Sequence, residues 1–233
     1  MRMKELYVLC FSIFPLMLCS GMVYSILSLY IVGLGATKTQ IGLIFMVGSA
    51  AGAIFAPILG KMSDKIGRRP ILIISMAGFL VAFFLYSMIG SFVYAFPIQA
   101  LEGFTWAAMG VTVTAYIADI TPEEKRGWAM GIYSRTWYMG WIAGPVLGGY
   151  MADTIGFQPT FVVGSMLVAF GFLLMLLYVK ESKRQIKKDA LIENIKQKLD
   201  QLDALPLEEV KQLMKQVDGV FESRMKALDS QHL

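Results

Sequence analysis

Hydrophobic residues along this chain fall into six long runs, at approximately residues 7–33, 41–60, 71–90, 94–117, 128–151 and 160–179. Crossing a bilayer as helix takes about 20 apolar residues, so each run is long enough. Backbone groups in lipid must be satisfied within the segment, and the runs are far too long for barrel strands; the pattern predicts six transmembrane helices. Pro15, Pro57, Pro97 and Pro145 lie inside them, as membrane helices tolerate. Beyond residue 180 the pattern changes. Apolar residues recur at Ile192, Ile195, Leu199 and Leu202, then at Leu207, Val210, Met214, Val217, Phe221 and Leu228, a helical spacing set among charges. Pro206 suits the first turn of a second tail helix. The expected domains are residues 1–180, embedded in the membrane, and residues 181–233, a charged amphipathic helical tail. The plain reading of the tail is a solvated hairpin; the alternative is a short coiled coil that dimerises.

The polar breaks between runs give an orientation. Arg2 and Lys4 precede the first run, and Lys61, Lys65, Arg68 and Arg69 separate the second from the third. Lys125 and Arg126 separate the fourth from the fifth, and Lys180, Lys183, Arg184, Lys187 and Lys188 follow the sixth. The alternate breaks carry only Lys38. By the positive-inside rule this is a multi-pass protein of the plasma membrane with both termini cytoplasmic.

One break has an echo. Gly60-Lys-Met-Ser-Asp-Lys-Ile-Gly-Arg-Arg-Pro70 returns at an offset of 89 residues as Gly149-Tyr-Met-Ala-Asp-Thr-Ile-Gly-Phe-Gln-Pro159, with six of eleven positions identical. Gly42-Leu43 has its counterpart in Gly131-Ile132 at the same offset. The second copy has lost every Lys and Arg. Two units of three helices account for this, because an odd number of spans puts equivalent loops on opposite sides of the membrane. The fold class is therefore an all-α membrane protein whose six transmembrane helices form a 3+3 inverted repeat, with a cytoplasmic helical tail. Such a repeat builds each six-helix half of certain secondary transporters.

Composition agrees and excludes other classes. Of 233 residues, 56% are hydrophobic and only 16% charged. The net charge of +4 is carried by short loops and the tail, so it does not point to nucleic acid. Cys10 and Cys19 sit in the first run and suggest neither a disulfide framework nor a metal site. That run is too long for a cleaved signal peptide and reads as a retained helix. No GxxxxGK[ST] loop is present, which argues against an ATP-driven pump, and no cofactor is expected. The single histidine, His232, is beside the C-terminus, so no nucleophile–histidine pair exists and an enzyme is not expected.

The spacing Gly60-x-x-x-Asp64-x-x-Gly67-Arg68-Arg69 resembles the cytoplasmic signature loop of the major facilitator superfamily, with Met62 and Lys65 where that pattern usually has Leu and Arg. The stretch Ala118–Gly127, which holds Asp119 and Arg126, also resembles the family. In the fifth run Gly131, Gly140, Gly144-Pro145 and Gly148-Gly149 are similar in spacing to the motif of its antiporter branch, especially drug/proton antiporters. The resemblance covers residues 1–180. It implies that the loop is a conformational latch, its Asp and Arg paired with an acid at the end of the fourth helix, for which Asp119 is the candidate. The residues themselves leave a purely topogenic charge cluster open. They also place Asp64 near the start of the third helix, where an anion is favourable, and allow Arg68 and Arg69 to pair with a carboxylate or a lipid phosphate.

Within the runs, Glu102 stands near the middle of the fourth, flanked on its face by Gln99 and Trp106. A charge at that depth costs several kcal/mol unless paired, hydrated or neutralised, so a substrate or proton site is the default reading, with structural pairing as the alternative. In the family, antiporters often carry Arg where Gln99 stands and Gln where Glu102 stands. Arg135, in the fifth run, could face a cavity or snorkel to the surface. Tyr24 and Tyr138 add polar and aromatic groups to the same pathway. Glycines 140, 144 and 148 line up one smooth face, either a movable seam between two halves of a carrier or simple close packing. The third and sixth runs have almost no polar side chains and read as lipid-facing.

The expected function is alternating-access transport of a small molecule, of the antiporter or efflux kind. The resemblance also implies twelve spans, of which this chain supplies six. A homodimer, a separately encoded second half, or a longer chain would complete it; the alternative is a non-transporting membrane interaction or regulatory protein.

Overall fold

The computed structural model describes residues 3–182 and Lys215. The expectations for the tail fall outside the described residues. Six long helices account for nearly everything else: α1 (Met3–Gly33), α2 (Lys38–Ile66), α3 (Arg68–Tyr86), α4 (Ala95–Ile120), α5 (Arg126–Ile155) and α6 (Phe157–Tyr178). Two short 3-10 turns, Phe92–Tyr94 and Glu123–Lys125, precede α4 and α5. No strand occurs among the described residues. By length and apolarity alone α1, α2, α3 and α6 qualify as spans. The other two are as long but more polar, for α4 carries Gln99 and Glu102 and α5 carries Arg135. The protein is a multi-pass integral membrane protein.

The helices begin and end for local reasons. Thr37 opens α2 with a capping box: its hydroxyl accepts from Gln40 N (3.3 Å) and the Gln40 side chain accepts from Thr37 N (2.8 Å). A single residue, Gly67, separates α2 from α3, at φ 110° and ψ 164°. A single residue, Gly156, separates α5 from α6, at φ 89° and ψ 168°. These are equivalent positions of the 89-residue repeat, and both lie in backbone space that a side chain makes costly.

Packing obeys the same symmetry. α1 lies chiefly against α5 and α6, α4 chiefly against α2 and α3, and α3 touches α6. Exchanging α1 with α4, α2 with α5 and α3 with α6 leaves that pattern unchanged, as an inverted repeat requires. Both of the closest equivalent pairs are lined by glycine. A Cβ on Gly144 of α5 would stand 2.6 Å from the Leu18 carbonyl oxygen of α1, and Gly48 of α2 meets the backbone of Gly103 in α4. Lipid gives little hydrophobic drive for helices to associate, so this close backbone approach carries much of the cohesion.

The two copies of the repeated loop lie at opposite ends of the bundle. At the basic end, side chains from the α2–α3 junction, the end of α4 and the segment after α6 are joined. At the far end, the Tyr30 hydroxyl of α1 donates to Ile89 O (2.8 Å) and its ring packs on Phe157 and Phe161 at the start of α6.

α1 and α4 hold most of the core, whereas only four residues of α2 and four of α5 are buried. The sequence made α3 and α6 the outward pair. In the bundle the barest faces belong to α2, with Met46, Ile54 and Ile58 exposed, and to α5, with Ile142 and Val146 exposed. α3 and α6 cover part of themselves by packing on each other as well as on α4 and α1.

Candidate functional site

Two polar clusters stand out, one inside the bundle and one at its basic end. The internal cluster is centred on Glu102, which is fully buried. It is the eighth residue of α4, roughly 10 Å along the helix from its far-end start rather than at mid-span. Its Oε1 accepts from the Tyr24 hydroxyl of α1 (3.0 Å) and its Oε2 from the Tyr86 hydroxyl at the end of α3 (2.8 Å). Trp106 Nε1 donates to the Tyr24 oxygen at 2.9 Å, so one chain of donors runs from indole to phenol to carboxylate. The ring of Tyr24 stacks on Trp141 of α5, and Trp141 on Trp137.

Beside this cluster a cleft of ≈340 Å³ runs between α1, α2 and α4, lined among others by Tyr24, Phe45, Gln99 and Trp106. Gln99 is 2% exposed, and its Nε2 has no hydrogen-bond partner among the described residues; neither has Trp141 Nε1. Gly48 makes room for Gln99, whose Oε1 would lie 2.8 Å from a Cβ there. A carboxylate with two donors, next to two orphaned N–H groups and stacked rings, can bind a proton, a cation or a flat molecule that carries a hydrogen-bond acceptor.

Other pathway candidates lie elsewhere. Arg135 and Tyr138 are exposed on α5, and no contact between Arg135 and Glu102 is formed. Of the fifth-helix glycines, Gly140, Gly144 and Gly148 are buried against α1 of the same bundle, while a Cβ on Gly131 or Gly149 would meet open space. Pro145 lies within α5 and close to Gly21 of α1.

At the basic end Arg68 is the hub. Its Nη1 pairs with Asp64 Oδ1 (2.8 Å) and donates to Ser63 Oγ (3.0 Å), and its Nε donates to Asp119 Oδ2 (3.1 Å). The guanidinium is mostly buried; Asp119 and the Ser63 hydroxyl meet it where water competes poorly, whereas Asp64 reaches it from the exposed side. Asp64 sits in the last turn of α2, because that helix continues through the expected loop as far as Ile66. The anion at the start of α3 is instead Glu181, three residues past the end of α6 and within the expected tail. Its Oε1 accepts from Arg68 N (2.8 Å) and its Oε2 from Arg69 N (3.0 Å), as a capping carboxylate does. Ser182 Oγ donates to Asp119 Oδ2 (2.9 Å), and the Tyr116 hydroxyl donates to Lys180 O (3.0 Å). Arg69 Nη2 donates to Leu176 O (2.7 Å). Gly60 is half-buried beside open space, and Arg126 opens α5 as an exposed residue.

Of the residues that the sequence singles out, Glu102, Asp64, Arg68 and Asp119 fall in these two clusters; Tyr86, Glu181 and Ser182 join them without having been singled out. Tyr86 ends a run otherwise almost free of polar groups, which was its only signal. Glu181 and Ser182 sat among many charged residues and had none.

Comparison with known proteins sets these clusters in a family. The profile described as Major Facilitator Superfamily matches residues 9–217. The quinolone resistance protein NorA of Staphylococcus aureus is 28% identical over 181 residues, covering 78% of this chain and 46% of that protein. The multidrug resistance protein MdtG of Serratia proteamaculans is 29% identical over 177 residues, 74% of this chain and 43% of that one. Among solved structures, the human organic anion transporter MFSD10 superposes with a TM-score of 0.65 at 17% identity, over 78% of this chain and 49% of that one. A POT family transporter superposes with a TM-score of 0.69 at 16% identity, over 90% of this chain and 49% of that one. The chain therefore spans about half the length of the relatives it matches, and its fold is that of transporters rather than enzymes. From the family match, the repeat and the shared fold, this chain belongs to the Major Facilitator Superfamily.

Proposed function

We propose that this chain forms one six-helix lobe of a secondary transporter that moves a small molecule by alternating access, of the antiporter or efflux kind. The carrying observation is the buried Glu102 carboxylate, held by Tyr24 and Tyr86 beside a cleft lined by Gln99, whose Nε2 is unpartnered among the described residues. A buried acid inside a membrane bundle is expensive to maintain and is the usual mark of a substrate or proton pathway. The resistance proteins NorA and MdtG support the efflux reading, and a hydrophobic aromatic compound with an acceptor group, or a cation, suits the cleft. The bare faces of α2 and α5 are the surfaces on which a second lobe would dock, from another copy, a separate chain or a continuation of this one. In this reading the basic end and both termini face the cytoplasm, Asp64, Arg68 and Asp119 form the latch between conformations, and residues 181–233 form a helical tail.

The test is transport of a fluorescent dye in everted membrane vesicles by the complete two-lobe protein. Glu102→Gln should abolish pH-gradient-driven movement while leaving the protein in the membrane. Unchanged transport would remove Glu102 from the mechanism.

A further inference from the structure

At the basic end a groove of ≈860 Å³ opens between α1, α5 and α6. Its walls include Tyr7 and Phe11 of α1, Met139 of α5, and Leu174 and Tyr178 of α6, with Lys4 in the first turn of α1 also on the lining. Phe11, Met139 and Tyr178 are more than half exposed, so this apolar surface faces outward.

The inverted repeat supplies a second copy of the groove for comparison. At the far end a smaller one of ≈350 Å³ is lined by Leu85 of α3, Ile89 and Tyr94 of the α3–α4 connection, and Pro97 and Leu101 of α4. Leu85 and Ile89 stand 89 residues before Leu174 and Tyr178; Tyr94, Pro97 and Leu101 stand 90 residues after Lys4, Tyr7 and Phe11. The α1 and α6 walls of the first groove thus fall at repeat-equivalent positions to the walls of the second, in opposite halves of the bilayer, while its α5 wall, Thr136 and Met139, is matched by nothing in the second lining. The two grooves differ in charge. Lys4 has Tyr94 as its counterpart, and the far-end lining holds no cation. Around the basic-end groove, Lys180 follows Tyr178 by two residues and Arg135 adjoins the lining Thr136, both exposed. The nearby acid Glu5 is half-buried and outside the lining.

Inside a bilayer an apolar groove gains little by preferring one hydrocarbon to another, since lipid tails are as apolar as its walls. Selection must come from what stands at the headgroup level. Lys4 can lay its stem along the groove and carry its ammonium to the interface, and basic pockets between helices at that depth suit anionic headgroups. We infer that the basic-end groove binds an anionic phospholipid, with one acyl chain between α5 and α6 and its phosphate against Lys4. The far-end twin takes lipid without regard to charge. This holds whether or not the chain transports anything.

The full chain, purified and stripped of lipid, is titrated with phosphatidylglycerol and with phosphatidylcholine of the same acyl chains and read by native mass spectrometry. Phosphatidylglycerol should bind about fivefold more tightly, the ratio that corresponds to ~1 kcal/mol from one lysine near a surface. Lys4→Gln should lower that ratio severalfold, with Lys180 and Arg135 leaving a small residual preference. Leu174→Trp, which fills the groove, should lower the occupancy of phosphatidylglycerol, while the symmetry-matched Leu85→Trp should leave its preference intact. A photo-crosslinker placed at Phe11 should capture lipid. An unchanged preference in Lys4→Gln, an equal loss in Leu85→Trp, or capture of residues 183–233 or of a second copy at Phe11 would overturn the assignment.

Discussion

Glu102 has two oxygens and each has one tyrosine donor, but the two tyrosines are not equivalent. Tyr24 is itself an acceptor for Trp106 and stacks on Trp141, so it belongs to a wider polar and aromatic chain. Tyr86 is fully buried, and among the described residues Glu102 is the side-chain partner of its hydroxyl. Tyr86→Phe should therefore act on Glu102 alone and lower stability by about 1–3 kcal/mol, the usual cost of leaving a buried acceptor short of a donor. The readout is thermal unfolding in detergent. In a Glu102→Leu background the same change should cost little, because the acceptor has gone. At this scale the sequence was partly legible. An acid within an apolar run announces itself, since lipid tolerates it only with partners. Which partners it has depends on how helices far apart in sequence are rotated against each other, and nothing in the Tyr86 run encodes that.

Among elements, α5 carries a natural pair of controls. Gly144 and Gly149 are both helical glycines, yet a Cβ on Gly144 would press on Leu18 O and the Gly21 backbone, while one on Gly149 would meet nothing. Gly144→Ala should push α5 from α1 and destabilise by about 1–3 kcal/mol, as overpacking does. Gly149→Ala should be neutral or stabilise by up to about 1 kcal/mol through helix propensity. Paired melting curves check both. The regular spacing of glycines showed that α5 has a smooth face but not what lies against it. That face turns inward to α1, because α1 offers Gly21 and small backbone-lined gaps in return. The junctions were legible in a different way. Gly67 and Gly156 matched across the repeat, but the helices run right up to them, so Asp64 belongs to α2 and the cap of α3 had to come from elsewhere.

For the whole molecule, the repeat predicts topology most directly. Single cysteines introduced at Lys65 and Thr154 should be labelled from opposite sides of a sealed vesicle by a membrane-impermeant maleimide. Labelling from one side would contradict both the inverted repeat and the placement of the loops at opposite ends. The two polar clusters share one rigid part, since Glu102 and Asp119 lie on the same unbroken helix, about 25 Å apart along its axis. Asp64→Asn leaves Arg68 with Asp119 as its charged partner. It should reduce transport several-fold in the vesicle assay with membrane levels unchanged; full transport would leave the cluster a topological signal only. The hydropathy pattern revealed six spans and their alternation because bilayer thickness imposes both. It could not reveal which helices form the centre, since lipid and protein interiors favour the same side chains.

Lys180, Glu181 and Ser182 stitch the segment leaving α6 to the start of α3 and the end of α4. Shortening the protein to end at Tyr178 would uncap one helix and strip Asp119 of a hydroxyl, so such a fragment would report on a loosened bundle rather than on a missing tail. Tags, protease sites and fusion partners therefore need to begin beyond residue 182. Any pull transmitted along the polypeptide at that point arrives first at the acids that grip Arg68.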